Sequence, residues 1–334
     1  MTSIDHQRHA LLDGGWRDPP TSTASGQRMG NGAMASSEPF LEYRSLLFAI
    51  AYRMLGAVAD AEDAVQETYL RWRRAAASGE EIRSPKAWLT TIISRVCLDQ
   101  RGSARVKREQ YIGPWLPEPL AGVTPDVAET VADFDSLSLA FLVLLESLSP
   151  KERAVFLLHD VFGYDFASIG EIVGESDAYC RQLAKRARAH MAERRPRFTA
   201  DRAQRERLTA DFLRAVSEGD MPALIETLTE DVTVFSDGGG KVNAARKPVV
   251  GREKVALFLT NIVRLAPAGT SFRIEPINGE PGIVTLVDGV VRNVVTFDFA
   301  DSAISAVYIV VNPDKLGTVS SSLSSTRSTE NQAR

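Results

Sequence analysis

The sequence has few cysteines, few aromatic residues and no long apolar run. Its 334 residues include two cysteines, Cys97 and Cys180, with 7% aromatic residues and a formal net charge of −4. Two distant cysteines argue against a disulfide framework or a zinc site and favour a reducing cytoplasm. The sequence lacks a run of about 18 apolar residues and an N-terminal signal segment, which argues against membrane insertion or secretion. We therefore expect a cytoplasmic protein without a cofactor or a membrane partner.

The length predicts two or three domains, and changes in composition mark their boundaries. Residues 1–38 are rich in Ser, Thr, Gly and Pro and predict a disordered extension, so that Met1 and Met34 are alternative translation starts. Residues 39–108 and 136–198 have helical periodicity, and three prolines in WLPEPL and just before it make 109–135 a linker. Residues 199–316 have a mixed pattern, and the Ser/Thr-rich residues 317–334 predict a disordered tail.

The first helical block contains three predicted helices. FLEYRSLLFAIAYRML ends at Gly56, and DAEDAVQETYLRWRRA follows, with Asp60 and Asp63 in the positions of a capping box. The third helix begins at Ser84-Pro85 and leads into a predicted loop, Gln100–Lys107, that contains several arginine and lysine residues. A solvated basic surface is the alternative to a nucleic-acid-binding role for this loop.

The second helical block predicts a helix-turn-helix. A short helix ends at Gly174, and Ser176 then caps a second helix whose narrow inward face is formed by Cys180, Ala184, Ala187 and Met191. Its outward face carries arginine, lysine and glutamine, which can pair with base edges or phosphates. This pattern is typical of a recognition helix in a major groove, and a helix with basic residues for solubility is the alternative.

The third domain predicts an α+β fold. One amphipathic helix, DFLRAVSEGDMPALIETL, precedes five strand-like segments, and Asp288-Gly289 is a hairpin signal between two of them. Asp231, Asp288 and Asp298 are scattered and do not form a pair for acid–base chemistry, so the chain is not predicted to be an enzyme. Asp237-Gly238-Gly239-Gly240-Lys241 lacks a P-loop ending and predicts a tight turn that presses against another surface.

The motifs together resemble extracytoplasmic-function RNA polymerase sigma factors. Residues 60–75 and 84–109 resemble sigma region 2, and LSPKERAVFLLHDVFGYDFASIGEIVGESDAYCRQLAKRARAHM resembles region 4. WLPEPL, DGGGK at 237–241 and NPDKL at 312–316 resemble the SigJ-like subgroup, which has a C-terminal SnoaL-like (NTF2-like) domain. The resemblance implies a multidomain fold of two all-α helical sigma domains followed by an α+β NTF2-like cone domain.

The resemblance also implies partners and roles. The partners are core RNA polymerase, through its β′ clamp and β flap, and promoter DNA, with an unknown small ligand possible in the C-terminal pocket. Residues implied at the −35 element are Ser176, Tyr179, Arg181, Gln182, Lys185, Arg186 and Arg188. Those implied at the −10 element are Arg95, Gln100, Arg101, Arg105 and Lys107, although Arg95 stands where the family usually has Asn. Those implied at the polymerase are Asp60, Asp63, Gln66, Glu67 and Arg71.

The three subgroup motifs are implied to modulate activity in cis. Their residues are Trp115, Leu116, Pro117, Asp237, Gly238, Gly239, Gly240, Lys241, Asn312, Pro313, Asp314, Lys315 and Leu316. The alternative function is a one-component helix-turn-helix regulator whose NTF2-like domain senses a small molecule. A third is an NTF2-like enzyme fused to a DNA-binding region. The region 2 helix favours the sigma factor, since a repressor has no use for it.

Overall fold

The first three helices of the structure follow the predicted helical segments. The computed structural model describes residues 38–122, 137–194, 201–300 and 302–332, and only the backbone of 38, 101–109, 193–194 and 325–332. Helix α1 spans Glu38–Leu55, α2 Val58–Ala77 and α3 Pro85–Glu109. Gly56, with φ of 77°, ends the first helix as predicted. The predicted extension 1–37 and residues 123–136 of the predicted linker lie outside the described residues.

The predicted start of α2 is wrong. The helix begins at Val58, its N-cap is Ala57, and no side chain of the N-cap contributes a hydrogen bond. The Val58 N–H instead donates to the Glu118 carboxylate at 2.8 Å, and Glu118 lies sixty residues further along the chain. A capping box is a local pattern, and here a long-range contact replaces it.

The predicted loop at Gln100–Lys107 is also wrong, because α3 continues as a helix to Glu109. Arg, Ala, Lys and Gln are good helix formers, and one interior glycine, Gly102, costs only about 1 kcal/mol. The predicted start at Pro85 is confirmed.

The second block folds into the predicted helix-turn-helix preceded by two short helices. Helix α4 spans Leu139–Leu145, and α5 spans Pro150–Phe156 and continues into a π-helical turn at Leu157–Val161. Helices α6, Phe166–Val173, and α7, Asp177–Arg194, form the motif itself. Helices α5 and α6 pack against α3, and one continuous apolar core, to which α4 contributes Phe141, Leu142 and Leu145, connects the two blocks. Cys97 and Cys180 are both fully buried in this core, as expected for small apolar side chains.

The C-terminal domain combines helices and one sheet. Helix α8 spans Arg202–Glu218, α9 Met221–Glu226 and α10 Arg252–Arg264. The strands are β1 Leu228–Asp237, β2 Val249–Val250, β3 Thr270–Ile277, β4 Glu280–Val287, β5 Val290–Ala300 and β6 Ala303–Val310. Their order is β2-β1-β6-β5-β4-β3, with β1 and β6 parallel and the other pairs antiparallel. This is the NTF2-like α+β arrangement that the sequence predicts.

The five predicted strand segments and the Asp288-Gly289 hairpin are confirmed. Asp288 and Gly289 both have positive φ, as a tight hairpin turn requires. The single predicted helix is two helices, because Gly219 adopts φ of 71° and ends α8. Helix α10 and the short strand β2 were not predicted.

The predicted disorder of residues 317–334 is wrong for most of the segment. Helix α11 spans Gly317–Gln332, after a 3-10 turn at Pro313–Lys315. Val319 and Leu323 are buried against the sheet, together with Leu316. Three apolar residues at helical spacing anchor this segment despite its polar composition.

Both faces of the sheet are covered. One face packs against α8, α9 and α10, and the other packs against α4, α11 and residues 116–121 of the linker. The helical blocks and the sheet domain therefore share an extensive buried interface. Among the described helices, none has the length and apolar character needed to cross a bilayer.

Candidate nucleic-acid interface and interdomain joint

The turn between α6 and α7 positions the predicted recognition helix. Gly174 adopts a left-handed conformation at the end of α6, and the Ser176 hydroxyl accepts the Tyr179 N–H at 3.2 Å. A side chain at Gly170 would lie 2.7 Å from the Glu175 carbonyl oxygen, so the turn needs glycine there. The inward residues of α7 are buried as predicted: Cys180, Ala184, Ala187 and Met191.

The outward face of α7 is exposed. It carries Ser176, Tyr179, Arg181, Gln182, Lys185, Arg186 and Arg188. Three of its arginines have acidic partners, at 2.9 Å in Arg181–Asp177, 3.6 Å in Arg186–Glu152 and 2.6 Å in Arg188–Asp160. Because these arginines are about half exposed or more, the pairs are weak and phosphates can replace the carboxylates.

The polymerase-facing residues expected on α2 lie on one side of that helix. Asp60, Asp63 and Gln66 are exposed, and the half-exposed Glu67 and Arg71 pair at 2.8 Å. The opposite side of α2 is buried through Ala61, Ala64, Val65, Thr68 and Trp72. An exposed acidic stripe backed by a packed face suits a basic partner surface.

Arg95, expected at the −10 element, contacts the helix-turn-helix instead of standing free. Its guanidinium donates to the carbonyl oxygens of Glu171 at 2.6 Å and Ile172 at 3.3 Å, at the C-terminal end of α6. Unpaired carbonyls and the helix dipole make this end negative, so a cation is favoured there. Gln100 is half-buried on α3. The side chains of Arg101, Arg105 and Lys107 lie outside the described residues.

The three subgroup motifs converge on one buried carboxylate. Asp237, at the end of β1, is fully buried and accepts hydrogen bonds from both linker and tail. Its Oδ2 accepts the Leu116 N–H at 2.9 Å and the Lys315 ammonium at 2.8 Å. Its Oδ1 accepts the Tyr111 hydroxyl at 2.6 Å and the Gly239 N–H at 3.1 Å. We call this arrangement the Asp237 joint.

Lys315 completes the joint from the C-terminal side. Its ammonium also donates to the Leu116 carbonyl oxygen at 2.5 Å and lies 4.2 Å from the centre of the Trp115 ring. Asn312 donates to the Tyr111 hydroxyl at 2.8 Å. Burial, followed by the hydrogen bond to Asp237, raises the pKa of Tyr111, which keeps its hydroxyl protonated as a donor.

The glycines of DGGGK allow the close approach at the joint. A Cβ on Gly239 would lie 2.4 Å from the Asn312 amide nitrogen, and one on Gly240 would lie 2.8 Å from Ile112. The prediction of a tight turn pressed against another surface is therefore confirmed. Exposed Lys241 pairs with exposed Asp314, which links the same two motifs at their rim.

The WLPEPL segment connects the joint to α2. Leu116 to Leu120 are buried, although a solvated linker would be exposed. Glu118 caps α2 through Val58, and burial raises the pKa of its carboxyl group above the ordinary value. The Tyr52 hydroxyl of α1 donates to the Glu118 carbonyl oxygen at 2.5 Å. Residues 116–120 are thus packed between the first helical block and the sheet.

Asn278 is a joint residue that the sequence analysis missed. It is fully buried in the β3–β4 turn, with φ of 53°. Its amide nitrogen donates to the Tyr52 hydroxyl at 2.9 Å and the Leu137 carbonyl oxygen at 3.1 Å, and its Oδ1 accepts the Leu120 N–H at 2.9 Å. One side chain thus connects the hairpin to α1, to the linker and to the start of the second helical block. The Asn278-Gly279 dipeptide between two β-rich segments is the signal that marks this hairpin.

Comparisons with known proteins agree with this geometry. The Sigma-70 region 2 family matches residues 40–106, and the Sigma-70 region 4 family matches residues 138–191. The ECF RNA polymerase sigma factor SigJ of Mycobacterium tuberculosis is 36% identical over 289 residues, which cover 83% of this chain and 91% of that protein. The probable ECF RNA polymerase sigma factor SigI of the same species is 32% identical over 82% of this chain and 92% of its own length.

A solved structure has the same arrangement over most of the chain. The crystal structure of M. tuberculosis SigJ superposes with a TM-score of 0.68 at 33% identity, covering 84% of this chain and 98% of that one. Two sigma-70 regions, joined to an NTF2-like domain, define the class to which the fold belongs. The chain belongs to the family of extracytoplasmic-function RNA polymerase sigma factors, which direct transcription initiation.

Proposed function

We propose that the structure is a closed form of the sigma factor, in which the C-terminal domain holds the two promoter-reading modules together. The observation that carries this proposal is the single apolar core shared by the two helical blocks. The −10 and −35 elements are about 25 base pairs apart, which is about 85 Å along B-DNA. Modules that share a core cannot reach sites at that distance, so promoter binding requires that they separate.

Contacts between α3 and the helix-turn-helix support the closed form. Arg95 bonds the end of α6, and the Thr90 hydroxyl lies 2.8 Å from the Tyr164 hydroxyl. Arg153 of α5 is fully buried and donates to the Arg53 carbonyl oxygen at 2.8 Å. Each of these polar contacts must be exchanged for water, DNA or polymerase when the modules separate.

The Asp237 joint and Asn278 hold the linker between the modules. The C-terminal domain holds the linker at both ends of WLPEPL. It therefore limits how far the region 2 and region 4 modules can move apart. Core polymerase and promoter DNA favour the open form by binding it alone, and this shifts the population toward it.

The roles of individual residues follow from their exposure. The α2 stripe of Asp60, Asp63, Gln66, Glu67 and Arg71 binds the polymerase β′ clamp, and the region 4 block binds the β flap. The α7 face reads the −35 element, and α3 from Arg95 to Lys107 binds the −10 element after Arg95 leaves α6. We assign no catalytic role to the chain. A small ligand in the C-terminal domain stays an untested prediction.

The test compares two turn residues with the same backbone conformation. Asn278→Gly keeps the positive φ and removes the side-chain hydrogen bonds to Tyr52, Leu120 and Leu137. Asp288→Gly, with φ of 51° in the other hairpin, is the matched control. Each variant is labelled in α2 and α7 for distance measurement by energy transfer and is assayed for run-off transcription with core polymerase.

We expect Asn278→Gly to lengthen the α2–α7 distance in the free protein and to change the run-off yield, while Asp288→Gly behaves as wild type. Equal distances and yields in all three proteins would contradict the closing role of the C-terminal domain. Failure of the wild type to initiate at any promoter would contradict the promoter and polymerase roles.

A further inference from the structure

The segment between β1 and α10 carries an unusual local charge. Residues 241–254 contain five basic residues and one acid, in a chain whose net charge is −4. Lys241, Arg246 and Lys247 are exposed in the loop 238–248, which we call the basic loop. Neither Arg246 nor Lys247 forms an ion pair with a described residue, and Lys241 pairs only with Asp314, which is 60% exposed. The basic loop therefore presents positive charge that the described surface leaves largely uncompensated.

The position of the basic loop is fixed by close packing. A Cβ on Gly238 would lie 2.6 Å from the Val242 carbonyl oxygen, and Gly239 and Gly240 press on Asn312 and Ile112. The loop also begins directly after Asp237, the buried centre of the joint. Lys241 N–H donates to the Gly238 carbonyl oxygen at 3.0 Å and closes the turn. These contacts hold the charges against the linker.

The basic loop lies next to the end of α3. The Arg246 Cα is 3.7 Å from the position that a Cβ on Gly113 would occupy. Gly113 follows Glu109, the last residue of α3, by four residues, and an extended chain spans at most about 14 Å over that distance. Arg246 is thus within about 18 Å of the end of α3, a length that corresponds to about five base-pair steps of DNA.

The end of α3 is itself basic. Residues 101–108 contain Arg101, Arg105, Lys107 and Arg108 and no acid. Two separate basic segments of the sequence, one in region 2 and one in the C-terminal domain, are therefore joined to backbone positions within about 18 Å of each other. Asp314 pairs with Lys241, and Glu253 is exposed on the helix that follows the basic loop.

We propose that the basic loop is a second DNA contact, in which Arg246 and Lys247 bind phosphates of the promoter strand that leaves the α3 segment. The chemistry is electrostatic and independent of sequence, since exposed Lys and Arg on a loop neutralise phosphates and do not read base edges. The proposal rests on the −10 role of α3 given above. It gives the C-terminal domain a direct part in promoter binding besides its hold on the linker.

The test is the salt dependence of promoter binding by the complete holoenzyme. Arg246→Ala/Lys247→Ala is compared with wild type and with Arg273→Ala/Arg292→Ala. The control pair removes the same charge from exposed arginines on β3 and β5, on the side of the sheet away from β2. Binding to a promoter fragment that the wild-type holoenzyme transcribes is measured from 50 to 200 mM salt.

We expect the loop variant to reduce the slope of log K against log salt by about 1.4 for single-stranded or 1.8 for duplex phosphates. Over the fourfold salt range this is about a 7- to 12-fold smaller loss of affinity. The reduction should be the same for fragments with altered −35 sequences, and the control should keep the wild-type slope. An unchanged slope, or an equal reduction in the control, would overturn the proposal.

A photoreactive residue identifies the partner directly. Val242 is uncharged and 43% exposed in the basic loop, and Val242→p-benzoylphenylalanine places a crosslinker there. Crosslinks to a DNA strand in the holoenzyme–promoter complex support the proposal. Crosslinks to polymerase subunits alone would show that the loop binds acidic protein and would overturn it. A wild-type holoenzyme that binds no promoter would overturn this proposal and the proposed function together, whereas normal wild-type binding with a negative loop result overturns this one alone.

Discussion

Asp237→Asn should loosen the joint between the linker and the C-terminal domain. The substitution keeps the size of the side chain but leaves the Lys315 ammonium, whose side chain is 10% exposed, without its counterion. It also turns an acceptor that faces the Leu116 N–H, the Tyr111 hydroxyl and the Lys315 ammonium partly into a donor. Breaking a buried ion pair from one side costs about 3 kcal/mol or more.

The assay is native-state hydrogen exchange of the Leu116 amide, because that amide donates directly to Asp237. A loss of about 3 kcal/mol in the free energy of local opening corresponds to about 150-fold faster exchange. Lys241→Ala is the matched control, since it breaks an exposed Lys–Asp pair between the same two motifs. Such a pair contributes at most about 1 kcal/mol, so exchange should rise about fivefold or less.

A double variant separates the charge effect from general damage. Asp237→Asn/Lys315→Met removes both charges, so Leu116 should exchange more slowly than in Asp237→Asn alone. The reasoning is refuted if Asp237→Asn accelerates exchange less than tenfold, or if the double variant exchanges as fast as that single variant.

Four further variants test the exposed faces and the helix cap. Arg181→Ala and Gln182→Ala should each weaken −35 binding by about 1–3 kcal/mol in titrations with promoter DNA, and a uniform loss on all sequences would mark them as phosphate contacts. Asp63→Lys/Glu67→Lys should impair co-purification with core polymerase. The circular dichroism spectrum should stay unchanged, because both side chains point away from the core. Unchanged co-purification would contradict the assignment. Burial raises the pKa of Glu118 above its ordinary value of 4.5, so the folded state disfavours the carboxylate and stability is lost as pH rises through that range. Glu118→Gln should remove this part of the pH dependence in denaturation measured on both sides of pH 4.5, and an unaltered profile would show that Glu118 does not contribute.

Elements of the fold that are marked by a few neighbouring residues could be predicted from the sequence. Gly174 and Ser176 mark the two sides of the helix-turn-helix, and the small residues from Cys180 to Ala187 mark its inward face. Asp288-Gly289 marks a hairpin for the same reason, since few residues adopt positive φ. These signals depend on backbone conformation within a few residues and need no tertiary context.

The predictions from sequence failed where contacts with distant parts of the chain determine the local structure. The cap of α2 is supplied by Glu118, which is too far along the chain to be found in a sequence pattern around Asp60. The tail from Gly317 has a polar composition, but Leu316, Val319 and Leu323 find a sheet face that makes it a helix. A composition average hides three well-spaced apolar residues.

The candidate site was only partly accessible from sequence. The resemblance pointed to the residues of WLPEPL, DGGGK and NPDKL, but not to their meeting at Asp237. Tyr111, Asp237 and Lys315 are far apart in the chain. Asp237 ends β1 and Lys315 follows β6, and the parallel pairing of these two strands brings their C-terminal ends together. Arg95 was expected at DNA, whereas its guanidinium bonds the carbonyl oxygens at the end of α6 in the structure.

The burial of residues 116–121 affects how the protein tolerates cleavage. These residues cover an apolar face of the sheet formed by Val284, Val294, Val310 and their neighbours. A fragment that begins at residue 201 would lose both this segment and α4 and would expose part of that face to water, and contiguous exposed apolar surface promotes aggregation. Proteases should accordingly spare WLPEPL in the intact chain, and the C-terminal domain should lose solubility when it is separated from this segment and from α4.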